Sequence, residues 1–226
     1  MTKQTVRARL ERIGIIPSIR LSSAADARFA AETVYAAGIP VVEITMTVPG
    51  ALDVVADLAK TVPDLIVGAG TVMDAEGARR SVDAGARFIT SPGFDRDVVE
   101  FALKERVEVL PGVLTPSEIM AALRAGADLL KVFPCAQFGG PSYIRVLKAP
   151  FPEVHFMAAG GVTQQTAAEF IRAGAVVIGV GVELVPRHAV RQRDAHWITE
   201  LAHRFRSLVQ EARGEGAPRH GAADQR

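Results

Sequence analysis

Short apolar runs alternate along the chain with longer amphipathic stretches. The runs are Ile15-Ile16-Pro17-Ser18-Ile19, Val41-Val42-Glu43-Ile44, Leu65-Ile66-Val67 and Phe88-Ile89-Thr90 in the first half. Val107-Glu108-Val109-Leu110, Leu129-Leu130-Lys131-Val132, Val154-His155-Phe156-Met157 and Val176-Val177-Ile178-Gly179 follow in the second. Runs of this length suit buried strands. Every second run is closely preceded by an Ala-Gly pair: Ala37-Gly38, Ala84-Gly85, Ala125-Gly126 and Ala173-Gly174, spaced 47, 41 and 48 residues apart. Glycine just past a helix end takes the left-handed conformation without a Cβ penalty, so each pair marks a helix stopping before a strand. The spacing is twice the length of one strand–helix unit.

Helix starts agree with this map. Ser23-Ala24-Ala25-Asp26 resembles a capping box, and Thr115-Pro116-Ser117-Glu118 combines a threonine cap, a first-turn proline and a glutamate three residues later. Pro49 and Thr163 mark two more starts. Eight strands alternating with helices predict a parallel (β/α)8 barrel of the TIM type. An open doubly wound sheet is the rival, but no strand leads into a Gly-x-Gly-x-x-Gly helix opening. The first dozen residues predict an extra N-terminal helix across the barrel bottom. One domain is therefore expected over residues 1–211, with a disordered tail over 212–226, where the chain turns to Ala212-Arg213-Gly214-Glu215-Gly216-Ala217-Pro218.

Composition narrows the function. Among 226 residues, 26 basic side chains balance 25 acidic ones, so no net field favours nucleic acid or an anionic membrane. A single cysteine, Cys135, excludes an internal disulfide and fits a reducing, cytoplasmic setting. No apolar stretch of signal-peptide or membrane-spanning type is found. His188, His196, His203 and His220 fall in the C-terminal helix and tail, and His155 opens its run at the wrong end for chemistry. No metal site is expected from them.

The candidate chemistry centres on Lys131. Lys3, Lys60, Lys104 and Lys148 sit in stretches that read as helix or turn, whereas Lys131 interrupts a buried-strand pattern bounded by Asp128 and Pro134. An ammonium is costly to take out of water, and shedding the proton leaves a nucleophile able to condense with a carbonyl. The alternative is a strand-end lysine that snorkels to solvent or pairs with a carboxylate. Active sites of such barrels lie at the C-terminal strand ends, and Glu43 and Lys131 fall there on the second and sixth strands. Both are even-numbered, so both can point into one interior layer. Such a pair reads either as a structural ion pair or as an amine with a partly desolvated acid that gives and takes protons. Gly160-Gly161 and Gly179-Val180-Gly181 follow the last two strands, where barrels often bind phosphate, or else make tight turns. Cys135 reads as a small apolar packing residue.

At these residues the chain resembles the 2-keto-3-deoxy-6-phosphogluconate (KDPG) and 4-hydroxy-2-oxoglutarate (KHG) aldolase family. The likeness runs from about Ile15 to Pro186 through Val42-Glu43-Ile44-Thr45, Gly68-Ala69-Gly70-Thr71-Val72, Ser91-Pro92, Leu110-Pro111-Gly112-Val113, Leu130-Lys131-Val132-Phe133-Pro134 and Gly160-Gly161-Val162. The resemblance implies a class I aldolase without cofactor or metal, usually a homotrimer, acting on a small keto acid. It implies Lys131 as the Schiff-base lysine and Glu43 as general acid/base, with Thr71, Pro92 and Phe133 at the pyruvate end. Some members hold the pyruvate carboxylate with an arginine where this chain has Arg20. Others use an arginine where it has Thr47. Gly160, Gly161, Gly181 and Val182 would line the phosphate end. Two departures stand out: Ala158-Ala159-Gly160-Gly161 replaces Pro-Thr-Gly-Gly, and Val182 followed by Glu183 replaces a serine that typically helps bind phosphate. An aldolase for the galactonate epimer, for 4-hydroxy-2-oxoglutarate or for a non-phosphorylated keto acid is the alternative, and a catalytically inert metabolite-binding barrel the remote one.

Overall fold

The structure, a computed structural model, describes residues 1–214. The strands are β1 (Ile15–Ile19), β2 (Val41–Thr45), β3 (Ile66–Gly70), β4 (Phe88–Thr90), β5 (Glu108–Leu110), β6 (Gly112–Val113), β7 (Leu129–Val132), β8 (His155–Ala159) and β9 (Ala175–Val180). All pairings are parallel, in the order β5-β4-β3-β2-β1-β9-β8-β7-β6. β5 and β6 are two halves of one barrel strand, parted by Pro111. The lower half bonds β4 and the upper half bonds β7, and the Pro111 carbonyl accepts from Lys131 N–H at 3.0 Å. The ring is thus the expected eight-stranded TIM-type barrel, with its fifth strand split where proline offers no N–H to the ladder.

The helices are α1 (Lys3–Ile13), α2 (Ala24–Ala36), α3 (Ala51–Thr61), α4 (Ala75–Asp83), α5 (Arg96–Lys104), α6 (Pro116–Arg124), α7 (Pro141–Lys148), α8 (Gln164–Arg172), α9 (Arg187–Arg191) and α10 (Ala195–Ala212). The Ala-Gly rule holds at all four sites: Gly38, Gly85, Gly126 and Gly174 have φ of 83°, 100°, 91° and 108°. Ser23 caps α2 through Asp26 N–H, and Thr115 and Glu118 form the capping box of α6. The start of α3 differs from expectation. Its cap is Gly50, left-handed and without a side-chain bond, so Pro49 only leads into it. α10 extends one residue past the expected domain end, and Arg213 donates to the carbonyls of Glu11, Arg12 and Val176. The rest of the expected tail, residues 215–226, lies outside the described residues.

The bottom of the barrel is closed by α1, which buries Val6 and Leu10. Its polar face reaches the strand entrances. Lys3 pairs with Asp128 at 2.8 Å, Arg7 with Glu11 at 2.7 Å, and Glu11 Oε1 lies 2.7 Å from His155 Nδ1. Among them, at the start of β5, Glu108 is fully buried, and neither carboxylate oxygen has a hydrogen-bond partner among the described residues. Burial pushes its pKa up to about 7, against the pull of Lys3 and Arg7.

This shift makes stability depend on pH. The unfolded chain ionises Glu108 above about 4.5, while the folded chain holds the proton to about 7. The folded state therefore binds more protons across that window, so stability falls as pH rises through it and levels off above. Between about pH 5 and about pH 8, urea unfolding of the wild type should lose on the order of 3 kcal/mol from this group, and Glu108→Gln should lose correspondingly less. Parallel pH dependences in the two proteins would show that Glu108 does not titrate as described.

Candidate active site

The upper end of the barrel holds a cavity of about 280 Å³. It is lined by Arg20, Glu43, Thr71, Pro92, Lys131, Phe133, Gly160, Gly161, Gly181 and Val182, which are all the expected site residues but one. Thr47 lies outside. Its hydroxyl sits 2.9 Å from that of Thr45, and it faces a neighbouring groove with Ser22, Asp26, Arg187 and Arg191. Arg20 borders both spaces.

Lys131 leaves β7 toward the barrel axis, and 7% of its surface is exposed. Its Nζ stands 3.7 Å from Glu43 Oε2 and 5.6 Å from the centre of the Phe133 ring. The amine therefore sits out of bulk solvent between an acid and an aromatic face.

Glu43 is 1% exposed and tightly held. Ser18 Oγ donates to Oε1 at 2.7 Å, and Thr90 Oγ1 donates to Oε2 at 2.8 Å. Thr90 also accepts from Lys131 Nζ at 3.1 Å. The third support is steric. A Cβ on Gly70 would fall 2.2 Å from Glu43 Oε1, so the glycine at the end of β3 makes room for the acid. β3 runs on past Val67 through Gly68-Ala69-Gly70, paired with β2 to its end. These positions lie in the barrel wall, and their missing side chains hold space for inward-pointing groups of the neighbouring strands.

Thr71 has φ of +59°, a left-handed conformation that a β-branched residue takes at a cost of about 1–3 kcal/mol. Its hydroxyl accepts from Arg20 Nη2 at 3.0 Å. Across the cavity, Gly160 and Gly161 have φ of +86° and +83°. A Cβ on Gly161 would approach Ala136 Cβ to 2.5 Å, so that turn tolerates no side chain. Val182 and Glu183 complete this side of the rim. Cys135 is buried beside the Gly160 carbonyl, and burial pushes its thiol up to about 12, which fits packing and not nucleophilic chemistry.

Three residues escaped the sequence reading. Ser18 and Thr90 were visible as hydroxyls inside apolar runs, but only the barrel turns them onto Glu43. Met157, from β8, lies under Gly179 and forms part of the cavity floor.

An amine and a carboxylate facing one another in a half-open cavity, with a cation at its edge, suit the chemistry of a carbonyl acid. The family model described as KDPG and KHG aldolase matches residues 6–201. The chain belongs to the KDPG and KHG aldolase family. It is an aldehyde-lyase of the aldolase class. The 2-dehydro-3-deoxy-phosphogluconate aldolase of Pseudomonas aeruginosa is 34% identical over 188 residues, covering 83% of this chain and 86% of that protein. Among solved structures, the KDPG aldolase of Legionella pneumophila, with pyruvate captured as a covalent carbinolamine, superposes with a TM-score of 0.81 at 34% identity, covering 86% of this chain and 95% of that one. The Zymomonas mobilis KDPG aldolase with 3-phosphoglycerate gives a TM-score of 0.83 at 29% identity, covering 91% and 97%.

Proposed function

We propose that the chain is a class I aldolase that cleaves 2-keto-3-deoxy-6-phosphogluconate reversibly to pyruvate and glyceraldehyde 3-phosphate. The observation that carries this reading is a buried lysine nitrogen 3.7 Å from a buried carboxylate in the cavity at the strand ends. Uncharged Lys131 attacks the C2 carbonyl, and the carbinolamine loses water to give an iminium ion. Glu43 takes the C4 hydroxyl proton as the C3–C4 electron pair moves into the iminium, releasing the aldehyde and leaving an enamine. Protonation at C3 and hydrolysis then free pyruvate and the lysine. The iminium is the electron sink, so the sequence of bonds needs no metal or organic cofactor. Arg20, with Thr71 fixing its guanidinium, holds the C1 carboxylate. Pro92 and Phe133 pack on the pyruvate carbons, and Gly160, Gly161, Gly181 and Val182 receive the distal end.

A second reading concerns that distal end. Val182 offers no side-chain donor and Glu183 adds a carboxylate to the rim, which favours a keto acid without phosphate. The assembly proposed is a cytoplasmic homotrimer. The family resemblance supports it, as do Phe138 and Val146, large apolar side chains 53% and 65% exposed near and on α7. Among the described residues no helix is long and apolar enough to cross a membrane.

Borohydride added with pyruvate should reduce the imine and leave a stable adduct on the Lys131 peptide in the mass spectrum. Lys131→Ala should lose both the adduct and turnover, and an active Lys131→Ala protein would end the proposal. Comparing kcat/KM on phosphorylated and free 2-keto-3-deoxy acids separates the two substrate readings. If the phosphate reaches the rim, Glu183→Gln should raise kcat/KM for the phosphorylated acid about threefold to tenfold, the worth of roughly 0.7 kcal/mol of like-charge repulsion per unit of phosphate charge across about 6 Å of water. No change there would place the phosphate elsewhere. Sedimentation velocity should give three times the protomer mass, and a monomer would remove the trimer.

A further inference from the structure

We propose that Thr90 relays protons between Lys131 and Glu43, whose other carboxylate oxygen accepts from Ser18 Oγ. This rests on the Schiff-base reading of Lys131. Direct transfer between the two charged groups is poorly served, because 3.7 Å is longer than a hydrogen bond. The shorter path runs through Thr90 Oγ1, which accepts from Nζ at 3.1 Å and donates to Oε2 at 2.8 Å. A hydroxyl has one proton to give and lone pairs to accept with, so these two bonds use it in both senses at once.

A merely structural threonine would behave otherwise. Buried hydroxyls elsewhere in this chain turn to a carbonyl: Thr45 bonds the Ile19 oxygen at 3.1 Å and Ser81 the Gly77 oxygen at 2.7 Å. Thr90, at the end of β4 and fully buried, bonds instead to the two groups that would react. Ser18 Oγ holds Oε1, for which the bare Gly70 makes room, and Oε2 takes its hydroxyl from Thr90.

The step balances. The Lys131 ammonium gives a proton to Thr90 Oγ1 as Thr90 passes its own to Glu43 Oε2. The products are a neutral amine with a free lone pair, a neutral carboxylic acid and an unchanged hydroxyl. Two buried charges vanish together, which a desolvated site favours. After the amine has attacked C2, the same acid supplies the proton with which the carbinolamine hydroxyl leaves as water, and the carboxylate is restored.

The test compares Thr90→Val, which keeps the shape and removes the hydroxyl, with Thr90→Ser, which keeps the hydroxyl. The readouts are kcat and KM for pyruvate release from 2-keto-3-deoxy-6-phosphogluconate, and the single-turnover rate of the borohydride-trapped pyruvate adduct. Thr90→Val should lower kcat and the trapping rate about 10²-fold with KM within about twofold, and Thr90→Ser should recover to within about fivefold. The proposal is overturned if Thr90→Val stays within about twofold of wild type in both rates, or if serine does not rescue the valine defect. Should the valine variant not fold, Thr90→Ala removes the same hydroxyl and is judged by the same outcomes. Turnover surviving in Lys131→Ala would instead defeat the Schiff-base reading, whatever Thr90 does.

Discussion

A lysine and a glutamate facing each other in a barrel interior must be compensated, because neither charge can be left alone out of water. Lys131 and Glu43 come from strands far apart in the ring, and much of the surrounding sequence makes their meeting possible. Ser18 and Thr90 each supply a hydroxyl to one carboxylate oxygen, and Gly70 withholds a side chain where the acid stands. Phe133 offers the face of its ring to the amine. On the neighbouring strands, Met157 fills space that Gly179 leaves open, and Phe88 fills the space over Gly68. Glycines on one strand thus answer large or charged side chains on the next, and the barrel wall is complementary to its contents.

The two ends of the barrel treat buried carboxylates differently. Glu43, at the upper end, has a hydroxyl on each oxygen and an amine nearby. Glu108, at the lower end, has none of these, although Lys3 and Arg7 stand close enough to lower its proton affinity in part. The first arrangement leaves a carboxylate with a donor on each oxygen. The second leaves an acid that is neutral in the folded protein until near-neutral pH. The same residue type is thus held by hydroxyl donors at one end and left without them at the other, where it costs the fold stability as pH rises.

Much of the architecture was legible because its signals are local. Each Ala-Gly pair stops a helix through the conformation of one residue, and Thr115 with Glu118 starts one through bonds three residues apart. The broken fifth strand was less legible. Pro111 stands in an apolar run, and its effect, a strand whose halves bond opposite neighbours, depends on ring closure. The direction of the Thr47 hydroxyl was no more legible. Its place in the loop after β2 was right for the cavity, but its side chain turns to Thr45 instead.

The sequence by itself determined the strand–helix rhythm, the one lysine set inside an apolar run and the family, since these rest on periodicity, capping and short motifs carried within a few residues. Only the tertiary structure decided which polar groups meet. Ser18, Glu43, Thr90 and Lys131 are separated by up to 113 positions, and nothing local says that their side chains converge. Barrel closure and strand register bring them together, because register sets which alternate side chains face inward and at what height.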